Sequence, residues 1–217
     1  MTKNRLLILT ALKAEATPFI QHYRLRKKKL IDDKFIYHRE TITLLITGIG
    51  KTNVQRTIRN YCNQHKIKQH VFVVNIGSAG GNADLYKIGD LFFINKITDE
   101  MDIATYYPNI LFKHGMNESS LTTVKYPVVD GHGTYDGLVD MEASEIWNIF
   151  RTMIPNHRLI FLKVISDYMD NKYLNFKTFE KLATDILINQ LTPITNFLYI
   201  LQETKLNDTT TVSENEK

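Results

Sequence analysis

The chain has 217 residues, 43% of them apolar and 23% charged, a globular composition that excludes disorder over most of its length. A formal charge of +4 is too small to argue for a nucleic-acid partner, and a single cysteine, Cys62, excludes an intramolecular disulfide and a cysteine-cluster zinc site. No apolar run approaches the ~18 residues of a membrane span, so the expectation is a soluble, cytoplasmic, single-domain protein with enough chain to bury a sizeable core.

The N-terminus combines a basic start, an apolar stretch and Ala14-Glu15-Ala16, which is compatible with a secretion signal. The stretch is short, and Lys13 and Glu15 crowd the cleavage position, which favours a buried first strand over residues 5–10. Thr17-Pro18 reads as an N-cap followed by proline at the first helical position. The basic run from Arg24 to Lys29 reads as a solvated helix end. Residues 35–38 and 41–47 predict a hairpin around Arg39-Glu40, and Gly48-Ile49-Gly50 ends its second strand. Val54, Ile58 and Cys62 then fall on one helical face, with Cys62 as a core residue.

Val71 to Ile76 predicts another buried strand, with Gly77-Ser78-Ala79-Gly80-Gly81 as the loop leaving it, and Leu91 to Ile97 a third. Residues 102–137 read as irregular. Leu138 to Met141 is a short apolar segment, and Ile146, Trp147, Phe150 and Ile154 mark a helix. Leu159 to Ile165 predicts a strand ending at Ser166-Asp167, and residues from Phe176 to Leu201 are helical, restarting at Thr192-Pro193. Residues 206–217 form a polar tail after a domain spanning 1–205. Strands alternating with helices predict an α/β domain with a mixed, mostly parallel central sheet flanked by helices, and in such sheets ligands bind beyond the carboxyl ends of strands.

Glu15, the Gly48–Gly50 turn, the Gly77–Gly81 segment and Asp167 all fall at such ends, and Glu142 opens a helix. Gly50-Lys51-Thr52 is not a phosphate loop, because Leu45 stands where that motif needs its first glycine. The Gly77–Gly81 segment exposes backbone N–H groups with little side-chain bulk, suiting either a flat polar ligand or a crowded core. Glu142 and Asp167 each admit two readings. An acid at a helix start complements the macrodipole or caps the helix. Alternatively, Glu142 accepts hydrogen bonds from a vicinal diol and Asp167 serves as a proton donor. The seven histidines show no metal-ligand spacing, and no metal or cofactor is expected.

Six segments in order, residues 11–15, 47–51, 75–81, 88–90, 139–143 and 164–167, resemble the nucleoside phosphorylase superfamily. Within it the closest resemblance is to the 5′-methylthioadenosine/S-adenosylhomocysteine nucleosidases, over residues 5–205. That resemblance implies hydrolysis of the N-glycosidic bond of a purine nucleoside or 5′-modified adenosine. It makes Asp167 the acid at N7 of the leaving base and Glu15 the activator of water. It makes Glu142 the carboxylate on the ribose hydroxyls, with Met141 packed on the sugar and Gly48, Gly77, Ser78, Ala79, Gly80 and Ser166 around the substrate. It also implies a homodimer with a small-molecule nucleoside as ligand, and neither nucleic acid nor membrane as partner. The Ser-Gly-Asp-x-Phe segment whose phenylalanine stacks on adenine in these nucleosidases is absent here. Tyr126, Pro127, Val128 and Tyr135 are the candidates to replace it. Phosphorolysis is the runner-up, but the superfamily's phosphate-binding arginines have no counterpart in residues 10–15 or at Asn75 and Ile76. A nucleoside-binding protein without turnover is the third reading.

Overall fold

The computed structural model describes residues 3–30, 35–68, 70–131, 134–170 and 175–204. The polar tail at 206–217 lies outside the described residues. The first apolar run is strand β1 (Arg5–Thr10), followed by helix α1 (Lys13–His22). Three short strands, β2 (Arg26–Lys29), β3 (Phe35–Arg39) and β4 (Ile42–Ile46), precede helix α2 (Lys51–Gln64). Strands β5 (Val71–Gly80), β6 (Leu91–Asp99), β7 (Ala104–Tyr106), β8 (Asn117–Thr123) and β9 (Leu138–Asp140) lead to helix α3 (Ala143–Phe150). Strand β10 (Leu159–Asp167) and helices α4 (Phe176–Asn189) and α5 (Leu191–Glu203) complete the described order.

The sheet is mixed. Its centre is parallel, with β5 between β1 and β10 and β4 outside β1. Strands β3 and β2 extend that edge in antiparallel fashion. On the other side β10 pairs with β6, β6 with β8, β8 with β9, and β9 returns to β5 at Gly80–Val139, so the five strands close a ring. The unalternating sequence of β1 follows from burial on both faces. Leu7 and Leu9 pack with Val54, Ile58, Ile146 and Phe150 of α2 and α3. Leu6 and Ile8 pack with Phe19, Ile186, Leu187, Phe197 and Leu198 of α1, α4 and α5. No helix among the described residues is long and apolar enough to cross a membrane.

Four local expectations are corrected. Helix α1 begins at Lys13, not at Pro18, because the Glu15 carboxylate accepts hydrogen bonds from the N–H groups of Ala11 and Leu12, both at 2.9 Å, and satisfies that end. Pro18 therefore lies inside the helix, where it supplies no N–H to the carbonyl of Ala14. The hydroxyl of Thr184 on α4, 3.0 Å from that carbonyl and 3.1 Å from its own helix's Glu180 carbonyl, covers the gap. The basic run is not a helix end but edge strand β2, where exposed lysines discourage pairing with another chain.

The Gly77–Gly80 segment is strand rather than loop, continuing β5 in register with β10. Its small residues are required by what lies against them. A Cβ at Gly77 would stand 3.0 Å from Oε1 of Glu15, and one at Gly80 would stand 2.7 Å from Cγ of Met169 and 3.1 Å from Oδ1 of Asp167. Residues 102–137 are not wholly irregular, since they hold β7 and β8. In β8 the inward positions Ser119, Leu121 and Thr123 are mostly polar, so the hydrophobic alternation that marks a strand is muted. Cys62, in the last turn of α2, is half-buried and packs against the core.

Candidate active site

The carboxyl ends of β1, β5, β9 and β10 converge on a cavity of ≈ 360 Å³. Glu15, Glu142 and Asp167 all line it, with Ser78, Ala79, Gly80, Met141 and Ser166 between them. Five acids face this space, counting Asp140 and Asp170, and among the described residues no lysine, arginine or histidine lines it.

Glu15 is 2% exposed, and both of its oxygens are engaged. Oε2 takes the two N–H groups of its own helix start; Oε1 takes the N–H of Ser78 at 2.8 Å and its hydroxyl at 2.7 Å. Those four donors fill the acceptor sites of a carboxylate. Three are backbone groups fixed by secondary structure, so the Ser78 hydroxyl is the one that can turn away without moving the chain.

Glu142 sits at the N-cap position of α3 but does not cap it. Asp140 and Thr123 do: Asp140 accepts the N–H of Ala143 at 3.0 Å, and the Thr123 hydroxyl accepts the N–H of Ser144 at 3.0 Å while donating to Asp140 at 2.8 Å. Relieved of the helix end, Glu142 reaches across to the turn after β4 and accepts the N–H of Gly50 at 2.7 Å. That turn is fastened to the end of β1 by Thr47 N–H to the Thr10 carbonyl at 2.8 Å and Gly48 N–H to the Ala11 carbonyl at 3.1 Å. The turn requires glycine, since Gly48 and Gly50 have φ of 88° and 82°. Burial, with the neighbouring Asp140 charge adding to it, pushes the Glu142 carboxyl up to about 7, while Lys163 and the Gly50 N–H act in the opposite sense.

Lys163 stands behind this acid. It rises from the middle of β10 and pairs with Asp140 at 2.9 Å, with both side chains almost fully buried. Burial alone would lower its ammonium pKa; the charges of Asp140, Glu142 and Glu15 outweigh that and hold it above the usual lysine value. Lys163 therefore supplies one buried positive charge to a group of buried carboxylates. Sequence reading missed both Lys163 and Asp140. The available signal was a lysine interrupting the apolar run Leu159–Ile165, which a buried strand tolerates only with a partner.

Asp167 ends β10 just after a register irregularity at Ser166, which turns its carboxylate across Gly80 on the neighbouring strand. It does not cap α4, which Asn175 caps instead. Its Oδ2 accepts the Ser166 hydroxyl at 2.6 Å and its Oδ1 the N–H of Met169 at 2.9 Å. Ser166 also has the carbonyl of Ala79 at 3.2 Å, so its single hydroxyl hydrogen has two acceptors within reach. Met169 adopts φ 57°, unusual for a residue with a side chain, and packs with Val124 and Val139 in a small apolar cluster that forms part of the cavity wall.

Of the four base-pocket candidates Pro127 and Val128 line the cavity, together with Val129. Tyr126 is 69% exposed and outside it. Tyr135 packs beside the Val124 cluster and donates its hydroxyl to Glu100 at 2.5 Å; that acceptor, with burial and further acidic charge, raises its pKa to about 12. Gly48 and Gly77 support the site from behind without lining it. The wall also includes Ile49, Phe176 and Phe179, which sequence reading did not assign to it. Phe176 and Phe179 come from α4, where their helical spacing reads equally well as core. Among the described residues no three His, Cys, Asp or Glu side chains are grouped to hold a metal ion.

No protein-family model and no curated protein matches the chain. Solved structures do. The 5′-methylthioadenosine nucleosidase of Arabidopsis thaliana superposes with a TM-score of 0.77 at 16% identity, covering 94% of this chain and 98% of that one. The chain has the fold of the methylthioadenosine nucleosidases. A Chlamydia trachomatis structure named MTAN gives 0.70 at 21% identity over 89% of this chain and 98% of its own. The Streptococcus pneumoniae MTA/SAH nucleosidase, solved with 8-aminoadenine, gives 0.67 at 16% over 89% and 98%. The likeness is one of fold, and it extends over nearly the whole length of each chain.

Proposed function

We propose that the protein is a nucleosidase that hydrolyses the N-glycosidic bond of a purine nucleoside or 5′-modified adenosine. The observation that carries this reading is the meeting of Glu15, Glu142 and Asp167 in one cavity that no basic side chain lines among the described residues. In the reaction the base departs while C1′ gains oxocarbenium character. Asp167 hydrogen-bonds or protonates the base nitrogen that accepts the leaving electron pair, and Ser166 shifts its hydrogen between Asp167 and the Ala79 carbonyl as the carboxyl changes state. Glu142, ionised, accepts the two ribose hydroxyls, with Met141 against the sugar. Water attacks C1′ from the side opposite the base and gives its proton to Glu15, the Ser78 hydroxyl turning aside to open an acceptor site. A base and an acid on opposite sides of the bond are what an inverting hydrolysis needs, by analogy with glycosidases.

The charge of the cavity favours water over phosphate. A phosphate dianion needs several convergent donors, and here it would face five acids with Lys163 already engaged by Asp140. Val128 with its neighbours, and Phe176 and Phe179, replace the missing aromatic segment as apolar walls for the base and the 5′ substituent. The reading includes a cytoplasmic homodimer that needs no cofactor. Its test is release of free base from a panel of purine nucleosides, with and without phosphate. Equal rates are expected; strict phosphate dependence with ribose 1-phosphate formed would replace hydrolysis with phosphorolysis.

A further inference from the structure

The strands that assemble the acids have another end. At the starts of β1, β4 and β5 lies a second cavity, of ≈ 330 Å³. It is about 20 Å from the first along the strands, at ~3.3 Å per residue. Four cations from three separate stretches of chain line it: Arg5 of β1, Lys28 of β2, and Lys66 and Lys68 of the segment joining α2 to β5. The one acid that lines it among the described residues, Glu40, is already within 3.4 Å of Arg39. These five lining residues carry +3 of the chain's formal +4, so the weak overall charge conceals a local concentration. Among the described residues none of the four cations is in an ion pair.

The rest of the lining has a different character. Ile36, Ile67 and Val71 are apolar, and the ring of His65 stacks on Tyr61 with centroids 4.7 Å apart and planes 11° from parallel. A bare inorganic ion would meet the cations and leave this surface wet. A neutral ring would cover the surface and leave the cations unmatched. Several converging cations match the multiple charges of a phosphate ester better than a single carboxylate. The volume falls in the usual range for small-ligand sites.

We propose that this cavity is a second ligand site, taking an organic phosphate of nucleotide size with its phosphates on Arg5, Lys28, Lys66 and Lys68 and its flat body on the apolar floor. The inference does not depend on the nucleosidase reading, and its test is a binding measurement rather than an activity. Adenosine triphosphate is titrated calorimetrically into the full chain, with inorganic tripolyphosphate as the probe that lacks the flat body. Saturable one-to-one binding is expected, tighter than for tripolyphosphate. Glu142→Gln in the first cavity should leave it unchanged, and Lys66→Glu with Lys68→Glu should weaken it by roughly tenfold or more. Both lysines are exposed, so folding is not at stake; Arg5→Gln serves as an independent second variant. Absence of binding at millimolar probe, indifference to both the double reversal and Arg5→Gln, or loss in Glu142→Gln would each overturn the proposal. So would displacement by a short single-stranded RNA that binds more tightly than the triphosphate, which would mark the basic edge along β2 as a polyanion strip instead.

Discussion

The two ends of β1 and β5 treat charge in opposite ways. At the carboxyl ends, acids are tied down, Glu15 and Asp140 buried and Asp167 half-buried: Glu15 by four donors, Asp140 by Lys163, Thr123 and the start of α3, and Asp167 by Ser166 and Met169. At the amino ends, cations stand exposed with no ion-pair partner among the described residues. The contrast teaches where precision is needed. A group that must act on one atom is held by fixed donors at a cost in desolvation, whereas a group that attracts a charged ligand works from water and tolerates slack.

Substitutions can break or sharpen this contrast. The largest effect is expected for Asp167→Asn, which keeps the shape and removes the proton donor proposed for the leaving base. Nucleoside turnover should fall by about 10²–10⁴-fold, with a much smaller change in binding, as read by single-turnover kinetics beside equilibrium titration. An unchanged rate would show that the leaving base is assisted elsewhere. Next comes Lys163→Met. It leaves the Asp140 carboxylate buried and unpaired, and urea unfolding should show a loss of about 3–5 kcal/mol. A loss within the error of the measurement would mean that the acids are not balanced by this pair.

The third is a pH effect. Glu142 binds its proton more tightly in the fold, at about 7, than at the ordinary 4.5. Its contribution to stability is therefore fully present below about 4.5 and lost as pH rises through about 7. Glu142→Gln keeps the acceptor for Gly50 and removes the titration. Relative to wild type it should gain roughly 2–3 kcal/mol between pH 5 and pH 8, measured by unfolding at both values. The smallest effect belongs to the other end. Lys66→Glu with Lys68→Glu should change stability by no more than about 0.5 kcal/mol and leave nucleoside turnover unaltered. A large change in turnover would show that the two ends are coupled.

Legibility in the sequence divides along similar lines. The strands β1, β5 and β10 stand out because burial on both faces writes a run of mostly apolar residues without alternation, broken only by Asn75 in β5 and Lys163 in β10 before their polar ends. Strand β8 does not, since its inward side chains are Ser119, Leu121 and Thr123. The glycines of β5 look like a loop until the carboxylates of Glu15 and Asp167 are seen lying against them. Glu15, Glu142, Asp167 and Ser78 were readable because ordered motifs surround them. Whether Glu142 and Asp167 merely capped helices was not, because that depends on Asp140, Thr123 and Asn175 doing the capping instead. The apolar walls were the least readable part: Tyr126 and Tyr135 were plausible by type, yet Phe179 and Val129 reach the cavity through the path of α4 and of the segment after β8.

The proline in α1 has a consequence beyond its own helix. By withholding one N–H it leaves the Ala14 carbonyl open, and Thr184 docks there from α4. The helix that carries Glu15 is thus pinned to the helix that carries Phe176 and Phe179. A vacancy in one element becomes the address at which another is delivered. The polar floor of the cavity and its greasy wall are cross-braced, so that displacing either drags on the other.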